Sequence, residues 1–274
     1  MVGLYLLLIA GGIGFALTVM DPRLVTLRWL RLGGIVGLAL LAAALVHQIV
    51  TGTDAKVVLM IALVGVAFTL QLLTVQLGRR SAQRFAGAAA FLLGVEAACA
   101  LLPPAGLERV RGVAALSAGR SSFASVLGAG LEGGALVATV CLGAALLGVC
   151  LMAMLLGHAY LTAGNEMTQK PMRRLVLILA AILTLRGAAS VGCGLLPYVA
   201  AGDPVGGQAW NIAMMLARYL VGLVGPAVFT WMTHDCVRRA ANQSATGILY
   251  VTLVLVFLGE GAALALMKGT GLVF

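Results

Sequence analysis

Eight apolar runs, each about as long as a membrane-spanning helix, cover most of this chain of 274 residues. A helix needs roughly 20 mainly apolar residues to cross the hydrocarbon core of a bilayer. Lipid offers the backbone no hydrogen bonds, so spanning segments are helices or closed barrels. We therefore predict an all-α, polytopic integral membrane protein, a single transmembrane domain over residues 1–274 with eight transmembrane helices. The runs lie at about 2–20, 30–50, 57–77, 85–103, 133–160, 173–199, 209–235 and 246–267.

The composition argues against a soluble enzyme and against nucleic-acid binding. Hydrophobic residues make up 62% of the chain and charged residues 10%, whereas soluble domains are about 25% charged. The net charge of +9 comes from basic residues between the apolar runs, and we expect no nucleic-acid partner. The five cysteines show no CxxC spacing, so we expect no metal site. Motifs of hydrolytic or nucleotide-driven catalysis are missing from the sequence, which leaves no self-contained catalytic motif.

The basic residues fall in alternate connections and so predict an orientation. Cytoplasmic loops of membrane proteins are enriched in Lys and Arg. We therefore expect four cytoplasmic connections, both termini outside, and a multi-pass protein of a bacterial inner (plasma) membrane, in contact with the lipid bilayer. The basic residues are Arg23, Arg28, Arg31, Arg79, Arg80, Arg84, Lys170, Arg173, Arg174, Arg238 and Arg239.

The longest connection, residues 104–132, combines apolar positions at intervals of three with charged residues between them. Leu107, Val110, Val113 and Leu116 form the apolar series. This pattern favours an amphipathic segment lying on the outer membrane face. A packed loop that covers the helix bundle explains the same pattern equally well.

Four ionisable residues lie well inside separate apolar runs: Glu96, Arg186, Arg218 and Glu260. An isolated charge near the bilayer centre costs from about 3 to more than 10 kcal/mol, so such residues usually face a bundle interior or an aqueous cavity. If their helices adjoin, the two arginines can pair with the two glutamates, or bind an anionic or carbonyl-bearing ligand. A buried ion-pair network that only fixes the helix arrangement is an equally good interpretation.

Two further features concern the seventh run and the histidines. Gly222, Gly225 and Pro226 follow Arg218, and the proline predicts a kink in that helix. His158 and His234 end helices at the expected cytoplasmic face and are candidate axial ligands of a haem b. Capping of helix carbonyls or contact with lipid headgroups explains these histidines more simply.

These observations leave three functional hypotheses. The first is a membrane-integral subunit of a respiratory or other redox complex, in which a quinone or quinol contacts the Arg/Glu cluster and other subunits are partners. The second is a proton-coupled secondary transporter of a small anionic solute, with Arg186 and Arg218 binding the solute and Glu96 or Glu260 coupling protons. The third is a purely structural or assembly subunit of a membrane complex.

Overall fold

The apolar runs fold into eight successive helices in a computed structural model. The structure describes residues 2–52, 54–102, 123–163, 168–200, 208–272 and 274, and these residues contain no β-strand. The helices are α1 (Val2–Val19), α2 (Leu27–Thr51), α3 (Ala55–Gln76), α4 (Arg80–Ala100), α5 (Phe123–Ala163), α6 (Lys170–Ser190, Val191–Leu195 and Leu196–Ala200), α7 (Gln208–Leu216, Ala217–Val224 and Gly225–Arg238) and α8 (Asn242–Thr270). The middle part of α7 and the segment Val191–Leu195 of α6 are π-helical.

Seven of the eight helices are long and apolar enough to cross a membrane, as judged by length and composition over the described residues. The exception is α4, which is 21 residues long and carries Arg80, Arg84 and Glu96. It packs mainly against α1 and α3. The prediction of an all-α membrane protein with eight helices is confirmed, and α4 is the least apolar member of the set.

The helices form two four-helix units, α1–α4 and α5–α8. In each unit every helix packs against its neighbours in sequence, and the fourth helix packs back on the first. The two units meet mainly along α1 and α5. Trp29 of α2 forms a hydrogen bond across this boundary: its indole Nε1 donates to the Met152 carbonyl oxygen of α5 at 3.1 Å.

Small residues let α1 and α5 approach until their backbones touch. A Cβ added at Gly148 of α5 would overlap the backbone of Gly12 in α1, and a Cβ added at Gly12 would overlap the Ala144 carbonyl group. Close backbone approach of this kind is how membrane helices gain packing energy without a hydrophobic driving force between them. The Gly12–Gly148 contact therefore holds the two four-helix units together.

Two of the connections that carry the basic residues lie at the same end of the bundle, as the predicted orientation requires. Arg84, at the start of α4, donates from Nε to the Thr18 carbonyl oxygen near the end of α1 at 3.0 Å. The α1–α2 and α3–α4 connections are therefore neighbours. The side of the membrane on which the termini lie stays a prediction.

The predicted outer segment 104–132 is described only in its last part. Residues 103–122 lie outside the described residues, so the amphipathic pattern around Leu107–Leu116 is not tested. Residues 123–132 form the beginning of α5, ahead of the apolar span Gly133–Thr162. The fifth helix thus begins about ten residues earlier than the apolar run indicates.

We expect Gly148→Ala to lower the free energy of unfolding by about 1–3 kcal/mol, the usual penalty for overpacking a close contact. The added methyl group would meet the backbone of Gly12, which can yield only if α1 and α5 separate. Thermal unfolding of the detergent-solubilised protein measures the change. Gly65→Ala is the matched control, because a Cβ at Gly65 meets nothing within 4 Å. Equal melting temperatures for the two variants would contradict a tight α1–α5 contact.

Candidate functional site

One buried carboxylate, Glu260 of α8, is shared by two arginines. Arg186 of α6 donates from Nε to Oε1 at 3.1 Å and from Nη2 to Oε2 at 2.9 Å. Arg218 of α7 donates from Nη1 to Oε1 at 2.7 Å. The exposed fractions are 3% for Arg186, 0% for Arg218 and 3% for Glu260. Three of the four ionisable residues singled out by the sequence therefore meet in the interior of the α5–α8 unit.

Further hydrogen-bond acceptors complete the surroundings of the two guanidinium groups. Ser190 Oγ accepts a hydrogen bond from Arg218 Nε at 3.3 Å, and the Tyr219 hydroxyl donates to the Ser190 carbonyl oxygen at 2.9 Å. Arg186 Nη2 also donates to the main-chain oxygen of Phe274 at 2.7 Å. Phe274 is itself buried. The cluster is thus enclosed by protein atoms on several sides.

A glycine contact between α7 and α8 places Arg218 beside Glu260. A Cβ added at Gly222, one turn after Arg218, would overlap the Cα of Gly259, the residue before Glu260. The two backbones therefore touch at the depth of the ion pair. Without this approach the carboxylate and the Arg218 guanidinium could not meet at 2.7 Å.

π-Helical stretches flank the cluster on both arginine-bearing helices. Arg218 lies within the stretch Ala217–Val224, which ends two residues before Pro226. Val191–Leu195 follows directly after Ser190. The π-helical turn widens the seventh helix around Arg218, and the kink at Pro226 stays a prediction. Such insertions are frequent at functional sites, because they rotate the side chains that follow out of α-helical register.

Two guanidinium groups share the Glu260 carboxylate, and Arg186 also donates to the Phe274 oxygen. Two of the buried guanidinium nitrogens, Arg186 Nη1 and Arg218 Nη2, find no hydrogen-bond partner among the described residues. These two donors are suited to a hydrogen-bond acceptor.

Glu96 lies apart from this cluster. It is exposed on α4, in the other four-helix unit, four residues before that helix ends at Ala100. The expected pairing of Glu96 with Arg186 or Arg218 is wrong, because both arginines pair with Glu260. Its position one turn from a helix end also removes the need for a buried partner, since that depth is close to the membrane interface.

The structure also shows a groove between α6 and α7 that the sequence did not reveal. Its volume is about 470 Å³, and its walls are mainly apolar. Three polar side chains line it: Thr184 from α6, and Thr230 and His234 from α7. In the sequence, only the close spacing of Thr230, Trp231 and His234 on α7 could have indicated this groove. Gly187 and the apolar residues of the α6 wall cannot be told apart from ordinary lipid-facing positions.

The Thr230 hydroxyl is unusual among the threonines of these helices. Those of Thr184, Thr233, Thr246 and Thr252 each donate to the carbonyl oxygen four residues earlier, a common arrangement in membrane helices. Thr230 is 2% exposed, yet its Oγ1 makes no hydrogen bond within the described part of the chain. A buried hydroxyl without a partner is costly, so this one is suited to an acceptor in the groove.

The two candidate haem ligands occupy different surroundings. His234 lines the α6–α7 groove, whereas His158 is exposed on α5 and is not one of the groove residues. Over the residues that the structure describes, three or more His, Cys, Asp or Glu side chains do not come together as a metal site would require. Haem ligation by His158 and His234 stays a prediction.

We expect Glu260→Gln to destabilise the protein far more than Arg218→Met. The glutamine leaves two buried guanidinium groups facing each other without a carboxylate, and breaking a buried pair in this way costs about 3–5 kcal/mol. Arg218→Met leaves the neutral Arg186–Glu260 pair intact. Yield of monodisperse protein and melting temperature in detergent report the difference. Equal losses would show that the summed charge of the cluster does not govern its stability.

Comparison of the chain with protein-family models, with curated proteins and with solved structures gives no match in any of the three. The structural features that bear on function are the buried Arg186–Glu260–Arg218 cluster and the α6–α7 groove.

Proposed function

We propose that this protein is a membrane-integral subunit of a redox complex and that it binds a quinone in the α6–α7 groove. The observation that carries the proposal is the buried Thr230 hydroxyl in the wall of a mainly apolar groove, with no hydrogen-bond partner among the described residues. A quinone has the matching chemistry, because it combines carbonyl acceptors with a ring and tail that are apolar enough to enter from lipid.

The size and the polar pattern of the groove support this ligand. About 470 Å³ falls within the usual range of roughly 300–1,000 Å³ for small-molecule sites. Thr230 and His234 are four residues apart, so their side chains lie on the same face of α7. A carbonyl placed between them can accept one hydrogen bond from the hydroxyl and a second from an N–H group of the imidazole.

The two arginines of the charged cluster also affect the electrostatic potential in the groove. Gly187, which lines the groove, is the chain neighbour of Arg186. Fixed positive charge in a medium of low dielectric constant favours the negative charge that a quinone gains on reduction. The two guanidinium groups therefore favour reduction of a quinone in the groove.

The proposal requires partner subunits. The sequence has no self-contained catalytic motif, so electrons must reach the quinone from another protein. Gentle purification from the native membrane, with mass spectrometry of bound proteins and lipids, tests this directly. Copurifying redox subunits and a bound quinone would support the proposal. A solitary protein that carries a phospholipid in place of a quinone would contradict it.

We expect Gly187→Leu to abolish quinone binding by filling the groove. A Cβ at Gly187 meets nothing within 4 Å, so the larger side chain can enter the groove without disturbing the helices. Binding of a short-chain benzoquinone is measured by quenching of Trp231, a groove residue, and Trp231→Phe corrects for the other two tryptophans. Gly65→Leu on α3 is the matched control, since its Cβ also meets nothing within 4 Å. Unchanged affinity in Gly187→Leu would place the quinone elsewhere.

We expect Thr230→Val to weaken benzoquinone binding about tenfold, the size of one lost hydrogen bond of about 1–1.5 kcal/mol. Valine keeps the shape of the side chain and removes only the hydroxyl. Thr184→Val is the control within the same groove, because the Thr184 hydroxyl already donates to the Ala180 carbonyl oxygen at 2.9 Å. A similar effect of both variants would show that groove shape alone, without a hydrogen bond, holds the ligand.

A further inference from the structure

A pocket lies at one end of the α1–α4 unit, between the α1–α2 and α3–α4 connections. Its volume is about 330 Å³, within the usual range of roughly 300–1,000 Å³ for small-molecule sites. Its lining residues come from the starts of α2 and α4, the end of α3 and the two connections. Because α2 begins and α3 ends here, the pocket lies at the depth of the membrane–water interface, outside the hydrocarbon core.

Two cationic side chains line this pocket. They are Arg23, from the α1–α2 connection, and Arg80, the first residue of α4. In the described part of the chain, neither guanidinium group has a carboxylate partner, whereas Arg239 at another connection pairs with Asp235 at 2.9 Å. Residues 20–31 and 77–84 together contain six arginines and one acidic residue, Asp21, which accepts a hydrogen bond from the Arg23 main-chain N–H group. The pocket is therefore suited to an anionic ligand.

The first turn of α4 adds to this preference. The N-cap residue of α4 is Arg79, and its side chain makes no capping hydrogen bond. Free N–H groups at a helix N-terminus favour an anion, and a cation placed there is unfavourable unless an anion offsets it. Gln83 of the same turn also belongs to the pocket wall; it is 2% exposed, and its Nε2 has no hydrogen-bond partner among the described residues.

Apolar side chains are exposed beside the two cations. Leu27 lines the pocket and is 54% exposed, and Leu77, which lies between the lining residues Gln76 and Gly78, is 69% exposed. A phospholipid matches both parts of this surface, because it joins an acidic phosphate group to acyl chains. A free phosphate ion would leave the apolar part without a partner. The combination therefore favours a lipid over a soluble anion.

We propose that the phosphate group of one anionic phospholipid binds in this pocket against Arg23 and Arg80, with its acyl chains along Leu27 and Leu77. Arginine matches phosphate with paired N–H donors, and basic pockets between membrane helices bind anionic headgroups. A zwitterionic headgroup fits less well, because it brings its own cation beside the arginines. The bound lipid joins the α1–α2 connection to the start of α4 and stabilises the α1–α4 unit.

This site is separate from the proposed quinone groove. The pocket belongs to the α1–α4 unit, whereas the groove lies between α6 and α7, and the two share no lining residue. Lipid binding and quinone binding can therefore be lost independently. The failure of one proposal leaves the other standing.

The test compares ligands that differ in headgroup charge and in acyl chains. Dioctanoyl phosphatidylglycerol, dioctanoyl phosphatidylcholine and glycerol phosphate are each titrated into the purified protein in a neutral detergent. A ligand that binds only the folded state raises the melting temperature saturably. We expect this rise with phosphatidylglycerol alone, and we expect high salt to weaken it by screening the exposed charges.

Every other result of this titration overturns the proposal. An equal rise with phosphatidylcholine would show that the acyl chains alone are bound. An equal rise with glycerol phosphate would identify the ligand as a soluble phosphate compound. An unchanged melting temperature with all three would show that the pocket holds no phosphate group.

Charge-removing variants locate the lipid. We expect Arg23→Gln and Arg80→Gln each to raise the half-saturating concentration of phosphatidylglycerol about fivefold, the usual contribution of one basic residue near anionic headgroups. Both side chains are exposed, so we expect the wild-type melting temperature in the absence of lipid. Arg28→Gln is the matched control, because Arg28 is exposed at the same end of the unit but is not one of the lining residues. Equal half-saturating concentrations in the three variants overturn the assignment to this pocket.

Discussion

The sharing of one carboxylate by two guanidinium groups is the interaction on which the α5–α8 unit depends. Glu260 meets Arg186 and Arg218 through three hydrogen bonds of 2.7–3.1 Å. A buried ion that loses its partner costs several kcal/mol, so the three helices cannot slide or rotate independently. The Gly222–Gly259 contact serves the same end, because it brings the α7 backbone close enough to α8 for the pair to form.

Two buried threonine hydroxyls without a partner among the described residues belong to residues that line voids in the helix packing. Elsewhere in the described helices, buried threonines such as Thr246 and Thr252 donate to carbonyl groups of their own helix. Thr139 and Thr230 do not, and each lines a void. The voids differ in chemistry: one lies beside the Arg186 guanidinium group and the Glu260 carboxylate, and the other is mainly apolar. The mainly apolar groove suits a lipid-soluble carbonyl compound.

The helices could be predicted from the sequence because each one is a continuous apolar stretch of membrane-spanning length. The third run, 57–77, became Ala55–Gln76, and the eighth, 246–267, lies within Asn242–Thr270. The apolar background also identified the ionisable residues. Their convergence was not predictable, because it depends on which helices are neighbours: Glu96 has the same local signature as Glu260 but lies in the other four-helix unit.

The groove and the Gly222–Gly259 contact could not be predicted from the sequence either, because both depend on which helices are neighbours. Gly222 and Gly259 lie 37 residues apart in a chain with 36 glycines, and nothing local marks them as partners. The α6 wall of the groove is built from apolar residues and Gly187, which are indistinguishable by composition from lipid-facing positions. Only the packing of α6 against α7 gives these residues a common role.

The chain order of the three charged helices has a consequence for biogenesis. Synthesis proceeds from the N-terminus, so α6 and α7 leave the ribosome with Arg186 and Arg218 before α8 brings Glu260. During that interval the long arginine side chains can reach towards the aqueous interface, as such side chains do when they lack a buried counter-ion. Until α8 inserts, both arginines therefore lack the carboxylate that pairs with them in the folded protein.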